Sequence, residues 1–222
     1  MTAHPIRIIL LEDEPLFREL LTSTLCRRAE LEIVGAFQDG QEALARAPEL
    51  NPDVAILDIE LGQNETGVHI GLRLRQMLPD LGIVLLSNYD EPEILTAIPL
   101  SQVHGWCYLL KKSVASLDTL VRAIEGSASG LMVIDPHLIR AFKPRQSGQL
   151  SRLTPRQQEV LALLAAGYSN HVIAEKLMIT EKSVENQVSL VYQNLGLQSG
   201  DTKIHPRVTA TLLYLNESQH HG

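Results

Sequence analysis

Acidic, hydroxyl and lysine side chains close successive apolar runs in the first half of this chain. Ile6 to Leu11 is followed by Glu12-Asp13-Glu14, Val54 to Leu57 by Asp58, Ile83 to Leu86 by Ser87-Asn88, and Trp106 to Leu110 by Lys111-Lys112. Carboxylates brought together repel one another unless a hard divalent cation lies between them, and an all-oxygen donor set suits magnesium, which keeps several of its waters. A lysine and a hydroxyl on the facing side complete a site for a tetrahedral anion. Such a set supports a phosphoryl group held covalently on a carboxylate, its charge offset by metal and lysine as it forms. Taken singly, each residue has a plainer role: Asp or Ser after a strand commonly forms a turn or caps a helix, and Lys111-Lys112 is a solvated pair. Four compatible groups on four strand ends are hard to obtain from turn chemistry alone.

The elements that must position these groups are legible as a pattern. Five short apolar runs, the four above and Leu31 to Phe37, are bounded by Asp, Asn, Gly or Pro and read as buried strands. Between them lie helical spacings such as Leu16, Leu20, Leu21, Leu25 and Val68, Leu72, Leu74, Leu78. Alternating strands and helices imply crossover units, hence an α/β fold with a doubly wound five-stranded parallel sheet and helices on both faces. In such sheets ligands bind outside the carboxyl ends of the strands, where the acidic groups fall.

At 222 residues, 45% hydrophobic and 20% charged, the chain has the profile of a globular protein of two domains. Its longest unbroken apolar run, Val160 to Ala166, is far short of a membrane span, and no leader pattern opens the sequence, so neither membrane insertion nor secretion is expected. Cys26 and Cys107, each among apolar neighbours, read as reduced core residues of a cytoplasmic protein. Residues 1–130 carry 10 Lys and Arg against 19 Asp and Glu, whereas residues 151–222 carry 6 against 6. An acidic first part and a neutral last part point to two domains with different partners, and exclude nucleic-acid binding driven by a strong basic field. The small and polar stretches Gly126–Gly130 and Lys143–Gly148 mark a linker, assigned to 129–150, with a short helix starting at Asp135-Pro136-His137.

The segments "IILLEDEP", "DVAILDIEL", "IVLLSNYD" and "GWCYLLKKS" resemble, in order and spacing over residues 6–125, the receiver domains of two-component response regulators. The resemblance implies a receiver over 1–128, with Asp58 as phospho-acceptor and Glu12, Asp13, Asp58 and the backbone carbonyl of Glu60 as ligands of Mg2+. It implies Ser87 as the hydroxyl that follows the phosphate, Tyr108 as the switch aromatic and Lys111 as the phosphate-pairing lysine. The chain departs from the family pattern in places. Gly62 stands where Pro is usual, the loop "GQNETG" is longer than usual, Asn88 replaces a smaller residue and narrows access, and Glu60 adds a carboxylate near the path of an attacking water. The spacing before Gly105 also differs, which alters the switch face around 92–108.

Beyond residue 150 only helices are expected, starting at Thr154-Pro155, Ser169, Thr180 and His205-Pro206. The first has Val160, Leu161, Leu163 and Leu164 as its buried stripe, the second Ile173, Ala174 and Leu177, and the third Val184, Val188, Val191 and Leu195. The short turn Met178-Ile179-Thr180 suits a helix-turn-helix. Residues 151–197 are similar to the LuxR-type DNA-binding domain of NarL/FixJ regulators, which implies a small all-α domain over 151–222 and a fourth helix that makes a dimer contact. Lys182, Ser183, Glu185, Asn186 and Ser189 then contact DNA from the third helix, with backbone contacts from the helix starts at Ser169 and Thr180 and from Arg152 and Arg156. The family often has Lys at positions 185 and 189; Glu and Ser stand here. Asn suits adenine and Glu suits cytosine in the major groove.

The expectation is a cytoplasmic response regulator, not an enzyme. A sensor histidine kinase phosphorylates it, and it homodimerises on inverted sites in double-stranded DNA, away from any membrane. The alternatives are an atypical receiver that is never phosphorylated, an interaction adaptor with weak or no DNA binding, and an aspartyl-nucleophile phosphatase. The complete set Asp13, Asp58, Ser87 and Lys111 argues against the first, and the lack of a second substrate domain against the last. The neutral charge and Glu185 favour the adaptor.

Overall fold

The computed structural model describes residues 4–62, 65–90, 98–99, 102–144, 148–197 and 205–220. They fall into two compact units, one of residues up to 89 with 105–130, the other of 90–104 with 131 onward.

The first unit is a parallel sheet of β1 (Ile6–Leu11), β2 (Leu31–Phe37), β3 (Val54–Asp58), β4 (Gly82–Ser87) and β5 (Trp106–Leu110) in the order β2-β1-β3-β4-β5. The strands begin and end within one residue of the apolar runs. Every residue of β3, β4 and β5 is buried, as expected of parallel strands covered on both faces, whereas β2, at the edge, is buried only at Leu31 and Phe37. From β1 the chain moves outward to β2 and then back across to β3. With right-handed crossovers this order winds helices onto both faces and opens a crevice between the ends of β1 and β3. The helices are α1 (Pro15–Leu25), α2 (Gly40–Leu50), α3 (Gly67–Met77) and α4 (Leu117–Ala128).

Register sets the positions of the strand ends. Leu11 pairs with Leu57, Leu57 with Leu85, and Leu85 with Tyr108. Glu12 and Asp58 therefore share a row, and Ser87 and Lys111 follow one and two rows further on. Local chemistry fixes the helix starts: the Asp39 side chain accepts from Glu42 N–H at 2.9 Å, and Thr66 caps α3. At Gly67 a Cβ would lie 2.1 Å from the Asp58 carbonyl oxygen, so α3 can start this close to β3 only without a side chain there.

Three sequence expectations change. Leu16 and Leu20 are exposed, and only Leu21 and Leu25 of the α1 series are buried, because helical spacing identifies a face without saying that anything covers it. Cys107 is buried, but Cys26 is exposed at the end of α1, where the chain turns outward after the buried Leu25. Gly126–Ala128, whose small residues read as lying beyond the helix, continue α4, held by the buried Ser127 hydroxyl donating to the Gly105 carbonyl at 2.8 Å.

The second unit holds α5 (Pro136–Ala141), α6 (Pro155–Ala165), α7 (Asn170–Leu177), α8 (Glu181–Asn194) and α9 (Pro206–Glu217), with a short antiparallel pair of β6 (Phe142–Pro144) and β7 (Ser218–His220). Thr154 and Gln157 form a capping box on α6, Ser169 caps α7 and Thr180 caps α8. Val160, Leu164, Ile173, Ala174 and Val184 form the core, with Leu163, Leu177 and Val188 packed at its margin. Gly167, at φ +80°, stops α6, and a Cβ on it would meet Val133 at 2.7 Å. Within the stretch assigned to the linker, residues 132–134 pack into this unit: Met132, Val133 and Ile134 are buried, and Ile134 N–H donates to the Ala165 carbonyl. Val208, Leu212, Tyr214 and Leu215 of α9, the helix that the resemblance assigns to a dimer contact, are buried, and the Tyr214 hydroxyl donates to the Ile139 carbonyl at 3.2 Å. Among the described residues no helix is long and apolar enough to cross a membrane.

Gly67→Ala is expected to destabilise the protein by about 2 kcal/mol, since the clash is with backbone that cannot swing aside. Urea unfolding measures the loss, and a variant as stable as the parent would show that α3 shifts freely.

Candidate functional site

Glu12, Asp13 and Asp58 converge at the crevice between β1 and β3, each offering a carboxylate oxygen within 4.8 Å of the others. Glu12 and Asp58 are 0% and 1% exposed, while Asp13 faces solvent. Lys111, at the head of the 3-10 turn Lys111–Ala115, reaches back over the strand ends. Its Nζ lies 2.8 Å from Asp58 Oδ2, 3.0 Å from Glu12 Oε1 and 2.9 Å from Glu12 Oε2. The half-buried Phe17 ring lies beneath the same ammonium at 4.9 Å. Backbone N–H groups hold the carboxylates: Glu60 donates to Asp58 Oδ1 at 3.1 Å, Glu14 to Glu12 Oε1 at 3.2 Å and Gly62 to Asp13 Oδ2 at 3.2 Å. Arg18, one turn into α1, donates to the Glu12 carbonyl at 2.6 Å and fixes the loop that carries both acids.

Electrostatics here are unbalanced. Burial pushes the Glu12 carboxyl up to about 7; the hydrogen bond from Lys111 opposes the rise and the Asp58 charge adds to it. For Lys111, burial works against the charge, but the bonds to Asp58 and Glu12 outweigh it and hold its pKa above the ordinary lysine value. One ammonium thus faces two buried carboxylates with a third at the rim. The surplus negative charge and all-oxygen donors fit a hard divalent cation, for which Glu12, Asp13 and Asp58 supply the side-chain ligands.

Ser87 and Tyr108 are both buried and meet at one residue. Tyr89 N–H donates to Ser87 Oγ at 2.9 Å, and the Tyr108 hydroxyl donates to the Tyr89 carbonyl at 2.6 Å. Asn88 Nδ2 donates to Glu60 Oε2 at 2.7 Å, joining two of the residues that depart from the family pattern. The backbone role of Tyr89 and the supports from Phe17 and Arg18 are absent from the sequence reading; their only sequence signal is position, in the first turn after Asp13 or two residues after Ser87. Gln63, Asn64 and most of 91–101, including part of the expected switch face, lie outside the described residues.

In the second unit Lys182, Glu185, Asn186 and Ser189 are exposed on α8, as is Leu190. Ser183 differs: it is half-buried, and its hydroxyl shares a 2.8 Å hydrogen bond with Thr180 in the helix cap. The Ser189 hydroxyl donates to the Glu185 carbonyl. Arg156 is engaged by Glu159 and by the Leu177 carbonyl.

Comparison with known proteins agrees with this geometry. Residues 8–125 match the response regulator receiver domain, and residues 151–205 match the luxR family of bacterial regulatory proteins. The chain belongs to the response regulators that join a receiver domain to a LuxR-type DNA-binding domain. It is 33% identical over 207 residues to the transcriptional regulatory protein LnrK of Bacillus subtilis (strain 168), covering 87% of this chain and 92% of that protein. To the transcriptional regulatory protein DegU of Brevibacillus brevis it is 32% identical over 215 residues, covering 87% and 89%. In fold it is similar to RcsB in a structure of two RcsB dimers bound to two parallel DNAs, with a TM-score of 0.54, 23% identity and coverage of 96% of this chain and 99% of that one.

The raised Glu12 pKa has a signed consequence. Its folded value, about 7, lies above the ordinary 4.5, so the proton is held more tightly in the fold; that stability is present below pH 4.5 and is lost as pH rises through 7. In chelator, Glu12→Gln is expected to match the parent at pH 4.5 and exceed its stability at pH 8 by on the order of 3 kcal/mol. Denaturant titrations across that range test this; a constant difference between the two proteins would contradict it.

Proposed function

We propose that this regulator is switched by phosphorylation of Asp58 by a sensor histidine kinase, and that the phosphorylated form dimerises and binds specific DNA sites to control transcription. The contact that carries the reading is the Lys111 ammonium 2.8 Å from Asp58 Oδ2, at the mouth of an oxygen-lined acidic crevice. Asp58 Oδ2 is the nucleophile in this reading: its P–O bond forms as the P–N bond of the kinase's phosphohistidine breaks, and the imidazole leaves with the kinase. Lys111 then moves its hydrogen bond from the carboxylate to the phosphoryl oxygens that replace the charge, so the ammonium already in place pairs with the new anion. Glu12, Asp13, Asp58 and the Glu60 carbonyl hold Mg2+, which offsets repulsion between the incoming phosphoryl group and the carboxylate. Ser87 turns its hydroxyl toward the new anion, and Tyr108 responds through their shared tie to Tyr89. The chain is the kinase's substrate and not itself an enzyme, and it works in the cytoplasm.

On the DNA side, Lys182, Glu185, Asn186 and Ser189 face the major groove, and the capped starts of α7 and α8 approach phosphates. With 6 cations and 6 anions in residues 151–222, one copy neutralises few phosphates. Two copies on one duplex supply the missing affinity, and a symmetric pair reads inverted half-sites about one helical turn apart.

Incubation with a small-molecule phosphodonor and Mg2+ should add one phosphoryl mass to the intact protein. The gain should vanish in Asp58→Asn and in chelator; a gain that persists in either overturns the assignment. Beryllofluoride, a phosphoryl mimic, should raise the mass measured by light scattering from monomer toward dimer. An unchanged monomer, or a dimer equally stable without it, argues against phosphorylation as the trigger of assembly.

A further inference from the structure

The outer face of α8 carries two opposite charges whose separation matches a feature of one base pair. Lys182 and Glu185 lie three residues apart near the start of the helix, and Nζ donates to Oε2 at 2.8 Å. Both heads remain open to solvent, with side chains 78% and 48% exposed. An ammonium has three donor protons and a carboxylate about four acceptor positions, so the bond between them leaves most of their capacity unused.

We propose that Lys182 and Glu185 act as one unit that reads a single G·C base pair in a fixed orientation; this rests on the DNA-binding reading above. In the major groove guanine shows the acceptors N7 and O6, and cytosine shows the N4 amino donor beside them. O6 and N4 are joined by a Watson–Crick hydrogen bond, so they lie about 2.9 Å apart. The 2.8 Å between Nζ and Oε2 matches that spacing. The couple can therefore dock edge-on without breaking its own bond: Nζ donates to O6 and N7 while the carboxylate accepts from N4.

Other pairs fit less well for stated reasons. An A·T pair also places a donor, adenine N6, beside an acceptor, thymine O4, but its flanks are reversed. Adenine N7 then falls beside the carboxylate, acceptor against acceptor, and the thymine methyl falls beside the ammonium, which loses water without gaining a bond. A reversed G·C pair sets the ammonium against the amino group and the carboxylate against O6. Because the couple has no net charge, it adds little to sequence-independent attraction by phosphates and acts mainly on discrimination.

The test is selection from a pool of duplexes with a randomised core, using the full-length protein in beryllofluoride and Mg2+, alongside K182M, E185Q and the double variant. Both positions are exposed, and unchanged melting temperatures establish that the variants fold. The parent should enrich one G·C pair of fixed orientation in each half-site. Each single variant should relax that same position and keep the others. Exchanging that pair for A·T should weaken the parent's binding about tenfold, with a much smaller effect in either variant. A preference that survives both substitutions, or two variants that alter different positions, overturns the couple alone. Failure to enrich any duplex, together with no retention of random duplex at low salt, overturns the DNA-binding reading and the couple with it.

Discussion

Everything at the crevice depends on one ammonium shared between two buried carboxylates. Burial makes each carboxylate costly as an anion, and a single cation cannot fully offset two of them. The sheet answers this by topology. β1 and β3 are neighbours, which places Glu12 beside Asp58, whereas β5 is two strands from β3, roughly 10 Å away at ordinary strand spacing. Bridging that gap calls for a long side chain carrying a compact charge with several rotatable donors, which describes lysine better than arginine. Phe17 from beneath and the N–H groups of Glu14, Glu60 and Gly62 hold the parts in place. None of these supports removes the surplus negative charge, and that surplus suits the crevice to small, hard cations.

Much of this was legible in the sequence because strands buried on both faces must be continuous apolar runs. Once the runs were placed, the residues after them had to share an edge, so Glu12, Asp58, Ser87 and Lys111 followed. The helix caps at Thr154, Ser169 and Thr180 were readable for the same kind of reason, since each depends on bonds spanning only three residues. What escaped depends on contacts between distant segments. The need for glycine at position 67 arises from the approach of α3 to Asp58, and the buried Ser127 hydroxyl from a bond to Gly105. Leu16 and Leu20 carry the same periodic signal as Leu21 and Leu25, yet lie in solvent. The packing of Val133 against Gly167 likewise has no local signature.

The second unit is as economical with positive charge as the first is generous with negative. Arg207 is drawn inward to the carbonyls of Leu164 and Tyr168, Lys176 lies over the Tyr168 ring at 4.6 Å, and Arg156 is held by Glu159. These cations organise the helices instead of projecting a field, so long-range attraction contributes little to recognition by this unit.

Tyr89 joins Ser87 to Tyr108 through the two ends of one residue, its N–H on one and its carbonyl on the other. The N–H lies in the peptide plane before the Tyr89 Cα and the carbonyl in the plane after it, so each tie can loosen through its own backbone torsion. Whatever displaces either hydroxyl is therefore met first at one residue, whose two dihedrals decide whether the disturbance stops there or passes on.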